Sequence, residues 1–88
     1  MELVKVQEDK NFLELEVKGE GHTLCNLLRF YGWQQKGVEI VSYNIEHPLV
    51  SSPVFCVKGK APKKILLATV DALKKELKDI KAKVQKLK

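Results

Sequence analysis

PKKILLATVDALKKELKDIKAKVQKLK, residues 62–88, is the stretch on which the fold turns. It contains no Gly, and its one Pro stands first, where a helix loses nothing by the missing N–H. Leu66, Val70, Leu73, Leu77, Ile80, Val84 and Leu87 follow one another by alternating steps of four and three. That spacing makes a heptad seam along one side of a long helix. About 26 residues at 1.5 Å each give a helix about 39 Å long. The 57 residues before it cannot cover that length, so its distal turns are expected to meet something else or fray. Ile65 and Leu67 broaden the apolar stripe at the start, where the helix should lie on the rest of the chain.

Upstream, the period of the pattern changes from helical to two. Val4 and Val6 alternate with Leu3, Lys5 and Gln7; after the polar turn Glu8-Asp9-Lys10-Asn11, Leu13, Leu15 and Val17 alternate with Glu14, Glu16 and Lys18. This predicts a half-buried hairpin with one wet face. Gly19-Glu20-Gly21 breaks it, and Thr23 is suited to cap the helix that follows. Leu24, Leu27, Leu28 and Tyr31 form an apolar stripe on that helix, and Gly37 suits its end. Phe30 and Trp33 lie off the stripe, so this helix shows apolar surface on more than one side. Residues 38–45 read as a third strand, ended by Glu46-His47-Pro48-Leu49. Val54-Phe55-Cys56-Val57 reads as a short fourth strand buried on both faces. The expected order is β-β-α-β-β-α, an α+β fold: a four-stranded, mainly antiparallel sheet with two helices on one face, in a single domain spanning residues 1–88.

The net charge of +5 on 88 residues conceals an asymmetry. Residues 1–57 carry five basic and eight acidic side chains, a net of −3; residues 58–88 carry eleven lysines and three acids, a net of +8. Such asymmetry suggests nucleic acid or an acidic partner, and equally a solvated helix face. The chain has a single Arg and the last helix no aromatic residue, so contact with nucleic acid there would be confined to phosphates. No apolar run is long enough for a transmembrane helix. The first residues carry no secretory pattern, so a cytoplasmic protein is expected. Cys25 and Cys56 lie among apolar residues without CxxC or Cys/His spacing, which predicts buried reduced thiols and no metal site.

Catalytic chemistry finds little support. His22 and His47 are the only histidines, and each has a structural place, one at a helix start and one in a Pro turn. As an acid–base pair they would define a small hydrolase, but no reactive partner accompanies them. Glu14 and Glu16 share a strand face that is expected to be solvated. Gly19-Glu20-Gly21 could aim N–H groups at an anion, yet Glu20 repels phosphate and the other P-loop residues are missing. No cofactor is expected.

Two stretches together carry a resemblance. Gly19-Glu20-Gly21-His22-Thr23-Leu24-Cys25-Asn26-Leu27-Leu28-Arg29, followed by Tyr43-Asn44-Ile45-Glu46-His47-Pro48-Leu49, resembles the small alpha-like subunits of archaeal and eukaryotic multisubunit RNA polymerases. The family pattern is roughly G-E-D-H-T-L-x-N-L-L-R, then a strand ending Y-x-x-x-H-P-L, a short strand, a Gly/Pro loop and a long terminal helix. The likeness runs from about residue 3 to 84, and the short chain is most similar to the archaeal form, subunit L. Gly21 stands where many members have Asp, and Cys25 where many have Gly; both are small enough for the same backbone.

The resemblance implies a non-catalytic subunit of a nucleotidyltransferase complex, DNA-directed RNA polymerase. Such subunits pair with a larger alpha-like subunit (D in archaea) to form the platform for the catalytic subunits. By position, Leu24, Leu27, Leu28 and Tyr31 of the first helix, and Leu66, Val70, Leu73, Leu77, Ile80 and Val84 of the second, would form the pairing surface. His22, Thr23, Asn26, Arg29 and His47 would be the polar residues of the family motif, the first four fixing the helix start and its contacts. DNA would be met only through the complex. The rival expectation is a free-standing basic nucleic-acid-binding protein, dimerising with itself through the heptad seam.

Overall fold

A computed structural model of the chain, describing residues 2–19, 21–44 and 52–87, has the expected element order. Strands β1 (Glu2–Asp9) and β2 (Phe12–Lys18) precede helix α1 (His22–Gly32); β3 (Val38–Asn44) and β4 (Val54–Gly59) precede helix α2 (Pro62–Gln85). The sheet order is β1-β2-β4-β3, and each neighbouring pair is antiparallel. His47, its Pro turn and the Gly19-Glu20-Gly21 loop at Glu20 lie outside the described residues.

Period-two alternation decides what the sheet buries. Leu13 opposes Val57, Leu15 opposes Phe55, and Val41 and Tyr43 oppose Val57 and Phe55 from the other side. These residues share one face, and both helices pack on it. The core comprises Val17, Val41, Phe55 and Val57 from the sheet, Cys25 from α1 and Ile65 from α2. Each large aliphatic or aromatic side chain removed from water here stabilises the fold by about 1.5–3 kcal/mol. Thr69 is buried one turn after Ile65, and its hydroxyl donates to the Ile65 carbonyl at 2.7 Å, so the buried oxygen is satisfied.

Two glycines set how closely the layers approach. A Cβ on Gly32 would lie 3.1 Å from the Val41 methyls, so α1 ends where it presses on β3. Gly59 has φ +158°, and a Cβ there would collide with the Gly37 carbonyl oxygen and lie 2.9 Å from Ile65 Cδ1.

Several local expectations need correcting. The hairpin is not half-buried along both strands, because β1 is exposed along its length at the sheet edge, beyond the cover of the helices. A bulge between Lys5 and Gln7 shifts its register. Upstream of that bulge Leu3, not Val4, faces the helices, since it pairs with Val17. Strand β4 buries Phe55 and Val57 on one face only; Val54 and Cys56 are half-buried on the other. Cys56 is therefore not fully buried as expected; its thiol is pushed up from its ordinary range by partial burial and then by the nearby Glu14 carboxylate. Helix α1 begins a residue before Thr23, behind Gly21, with no side-chain cap bond, and ends at Gly32, not Gly37. Gly37 has φ +86° and turns the chain into β3 instead.

Candidate dimerisation surface

Helix α2 carries two stripes, a distinction that a count of apolar positions does not make. Pro62, Ile65 and Thr69 face the core and are buried. Leu66, Val70 and Leu73, about 100° further round, are half-buried and look across at Leu24 and Leu28 of α1. Between the helices and the edge of the sheet lies a wholly apolar groove of about 190 Å³. Its floor is Leu15, Val17 and Phe55, and Leu3 of β1 closes one side. Leu24, Leu28 and Leu66 also pack against the core cluster, so the groove wall is rigidly backed.

Beyond Leu73 the same stripe runs on with nothing beneath it. Leu77, Ile80 and Val84 are 56%, 51% and 58% exposed. Helix α2 has 24 residues, about 36 Å of length, and its second half extends past the sheet. Groove and stripe are one continuous apolar strip on a chain whose described extents are 47 × 33 × 17 Å. Single exposed apolar residues need no explanation, but a contiguous strip of this kind marks an interaction surface.

The structure divides the expected surface residues into groups. Leu24, Leu28, Leu66, Val70 and Leu73 come together in the groove, and Leu77, Ile80 and Val84 prolong it. Leu27 is largely exposed and Tyr31 half-buried; both lie on α1 outside the groove lining, Tyr31 edge-on to the Phe30 ring at 5.2 Å. Leu67, expected to broaden the sheet contact, is 61% exposed because it points round α2 away from the core stripe. Leu3, Leu15 and Phe55 were not anticipated as groove residues. For Leu3 the signal was the strand register: pairing with Val17 puts it on the inward face, and a one-residue slip reverses that.

Three polar residues of the motif also meet. His22, Asn26 and Arg29 lie on one side of α1, and Tyr43 reaches them from β3. The Tyr43 hydroxyl donates to Asn26 Oδ1 at 3.1 Å, and Arg29 Nη2 donates to the same oxygen at 2.8 Å. His22 Nδ1 lies 2.8 Å from the Tyr43 oxygen. With the phenolic hydrogen given to Asn26, Nδ1 must carry the proton. The Arg29 guanidinium also sits 5.2 Å above the Tyr43 ring. Thr23 is exposed in the first turn, outside this network. The network ties α1 to β3 and engages the His22 ring in that tie.

A β-β-α-β-β-α module offering an apolar strip along two helices is, as a class, half of a dimer. The sequence profile of the RNA polymerase Rpb3/Rpb11 dimerisation domain matches residues 13–88, and the chain belongs to that family. DNA-directed RNA polymerase subunit Rpo11 of Methanothermobacter thermautotrophicus is 30% identical over 82 residues, 93% of this chain and 96% of that one. Rpo11 of Methanococcus maripaludis is 33% identical over 90 aligned positions, covering 85% and 94% of the two chains. The crystal structure of DNA-directed RNA polymerase subunit L from Thermoplasma acidophilum superposes with a TM-score of 0.86 at 25% identity, covering 97% of this chain and 86% of that one. The fold is the alpha-like dimerisation fold of RNA polymerase.

Proposed function

We propose that this chain is the small alpha-like assembly subunit of an archaeal-type DNA-directed RNA polymerase, corresponding to subunit L. It pairs with the larger alpha-like subunit, D, and the pair serves as the platform for the large catalytic subunits in the cytoplasm. It contributes no catalytic residue to the nucleotidyltransferase complex. The whole chain acts as one dimerisation domain.

The observation that carries this reading is the apolar strip from the groove to Val84, on a chain belonging to a dimerisation-domain family. Leu24, Leu28, Leu66, Val70, Leu73, Leu77, Ile80 and Val84 form the pairing surface, with Leu27 and Tyr31 at its margin. An obligate interface of this kind is a core shared between two chains and usually exceeds about 2,000 Å² in total. The His22–Tyr43–Asn26–Arg29 network holds α1 at the angle that presents its share of the groove. A free-standing nucleic-acid-binding homodimer is the poorer reading, because it leaves the family membership without a role.

Leu77→Asp tests the proposal. Leu77 is exposed and far from the core, so the isolated chain keeps its fold, whereas a lone carboxylate buried in the interface costs several kcal/mol. Co-purification with the larger alpha-like subunit is expected to fall below detection while the circular dichroism of the chain is unchanged. Undiminished co-purification would sink the assignment.

A further inference from the structure

Resting on the pairing reading above, we infer that the lysines beside the distal stripe of α2 choose the partner: they fit a helix flanked by Asp and Glu and discriminate against a second copy of this chain. With Val70, Leu77 and Val84 at a positions and Leu66, Leu73 and Ile80 at d, the flanking e positions 74 and 81 are both Lys. Lys78 stands just outside that row. The other flank carries Glu76 and Lys83, and Lys83 is already engaged by Asp79 at 3.1 Å. Lys74, Lys78 and Lys81 are exposed and make no ion pair among the described residues. One side of the stripe is therefore an unneutralised row of ammonium groups, next to apolar side chains that any partner must cover.

A second copy is the obvious competitor, since it brings the same apolar strip. Antiparallel packing about a two-fold axis is the arrangement that seats each distal stripe in the other's groove. It also lays the lysine row of one copy along that of the other. The nearby rim of the groove adds Lys63, while the one acid there, Glu8, is paired with Lys5. Glu14 and Glu16 cannot help, because their pairing with Cys56 and Val54 puts them on the opposite face of the sheet. Like charges along this flank oppose the homodimer, and a partner with acidic flanks converts the same row into attraction. The proximal half of the strip, flanked by Leu67 and Thr69, has no such bias. The whole strip therefore contributes affinity, and the choice of partner is made in the distal turns.

The test is a double charge reversal, Lys74→Glu with Lys81→Glu, in the full chain. A carboxylate at 74 lies one turn before Lys78, a favourable spacing, and one turn after Asp71, an unfavourable one, so circular dichroism of the variant accompanies the pairing measurement. Sedimentation measures pairing of wild type and variant with the larger alpha-like subunit of the same polymerase, and self-association of each, at low and high salt. Wild-type heteropairing should weaken with salt, and the variant should pair about tenfold more weakly at low salt. Wild-type self-association should strengthen with salt, as screening removes the repulsion. At low salt the variant mixed with wild type should form dimers that neither forms alone. Equal heteropairing of wild type and variant, or salt-independent self-association, overturns the inference and leaves the pairing reading intact. Failure of the wild type to pair with the larger subunit at any salt defeats both.

Discussion

Asn26 is the residue on which the polar network converges, because its one side-chain oxygen accepts from both Tyr43 and Arg29. Asn26→Ala removes two hydrogen bonds at once, and His22 and Tyr43 then lose their anchor on the helix. All the groups are near water and can be rehydrated, so the expected loss is about 1 kcal/mol, not the larger penalty of a buried orphan. The urea unfolding midpoint checks it. The same substitution should leave the apolar groove lined as before, since none of the network residues lines it. Sequence pattern placed His22, Asn26 and Arg29 on one helix by motif, and their spacing of four and three puts them on one face. Tyr43 entered only with the sheet, which brings β3 beneath α1. Thr23 shows the limit of motif reading: a residue type suited to capping stands inside the helix, because the chain turns into α1 at Gly21, two residues earlier than capping by Thr23 would require.

At the scale of elements, the joint between β4 and α2 leaves no room for a side chain. Gly59 lets the strand pass under the carbonyl of Gly37 and the side chain of Ile65 before Pro62 starts the helix. A methyl group there meets backbone that cannot yield, at a positive φ that L-residues seldom adopt. Gly59→Ala is expected to cost about 2–4 kcal/mol, seen as a lowered midpoint in thermal or urea unfolding. Gly32→Ala is milder, since only the methyls of Val41 must shift. The elements themselves were legible: period two for β2, a four-three seam for α2, and a short apolar run for β4. The burial of β1 was not. Alternation tells that a strand has two faces; whether anything covers either of them depends on where the strand sits in the sheet, and β1 sits at the edge.

On the scale of the whole molecule, stability is unevenly distributed along one continuous helix. The first half of α2 shares Ile65 and Thr69 with the core, and among the described residues the second half has its own hydrogen bonds and the Lys83–Asp79 pair. An isolated helical segment of that length is marginal in water. Amide exchange in the isolated chain should therefore be slow around residues 65–70 and fast beyond about residue 77. Pairing with the larger subunit should slow exchange across residues 77–84 without altering the first half. Fast exchange that persisted in the complex would mean that the distal turns are not part of the interface.

What the sequence determined by itself was the order and kind of the elements, the excess length of α2 and the charge that gathers along it. Those properties are local: periodicity, capping chemistry and residue type are written in consecutive positions. Only the tertiary structure decided which of two adjacent stripes on α2 serves this chain's own core. Ile65 and Thr69 are claimed by the sheet, and Leu66, Val70 and Leu73 are left half-open beside Leu3, Leu15 and Phe55. The two stripes differ by a rotation of about 100°. An apolar pattern does not specify its own orientation until strands distant in sequence have paired and fixed the surface on which the helix rests.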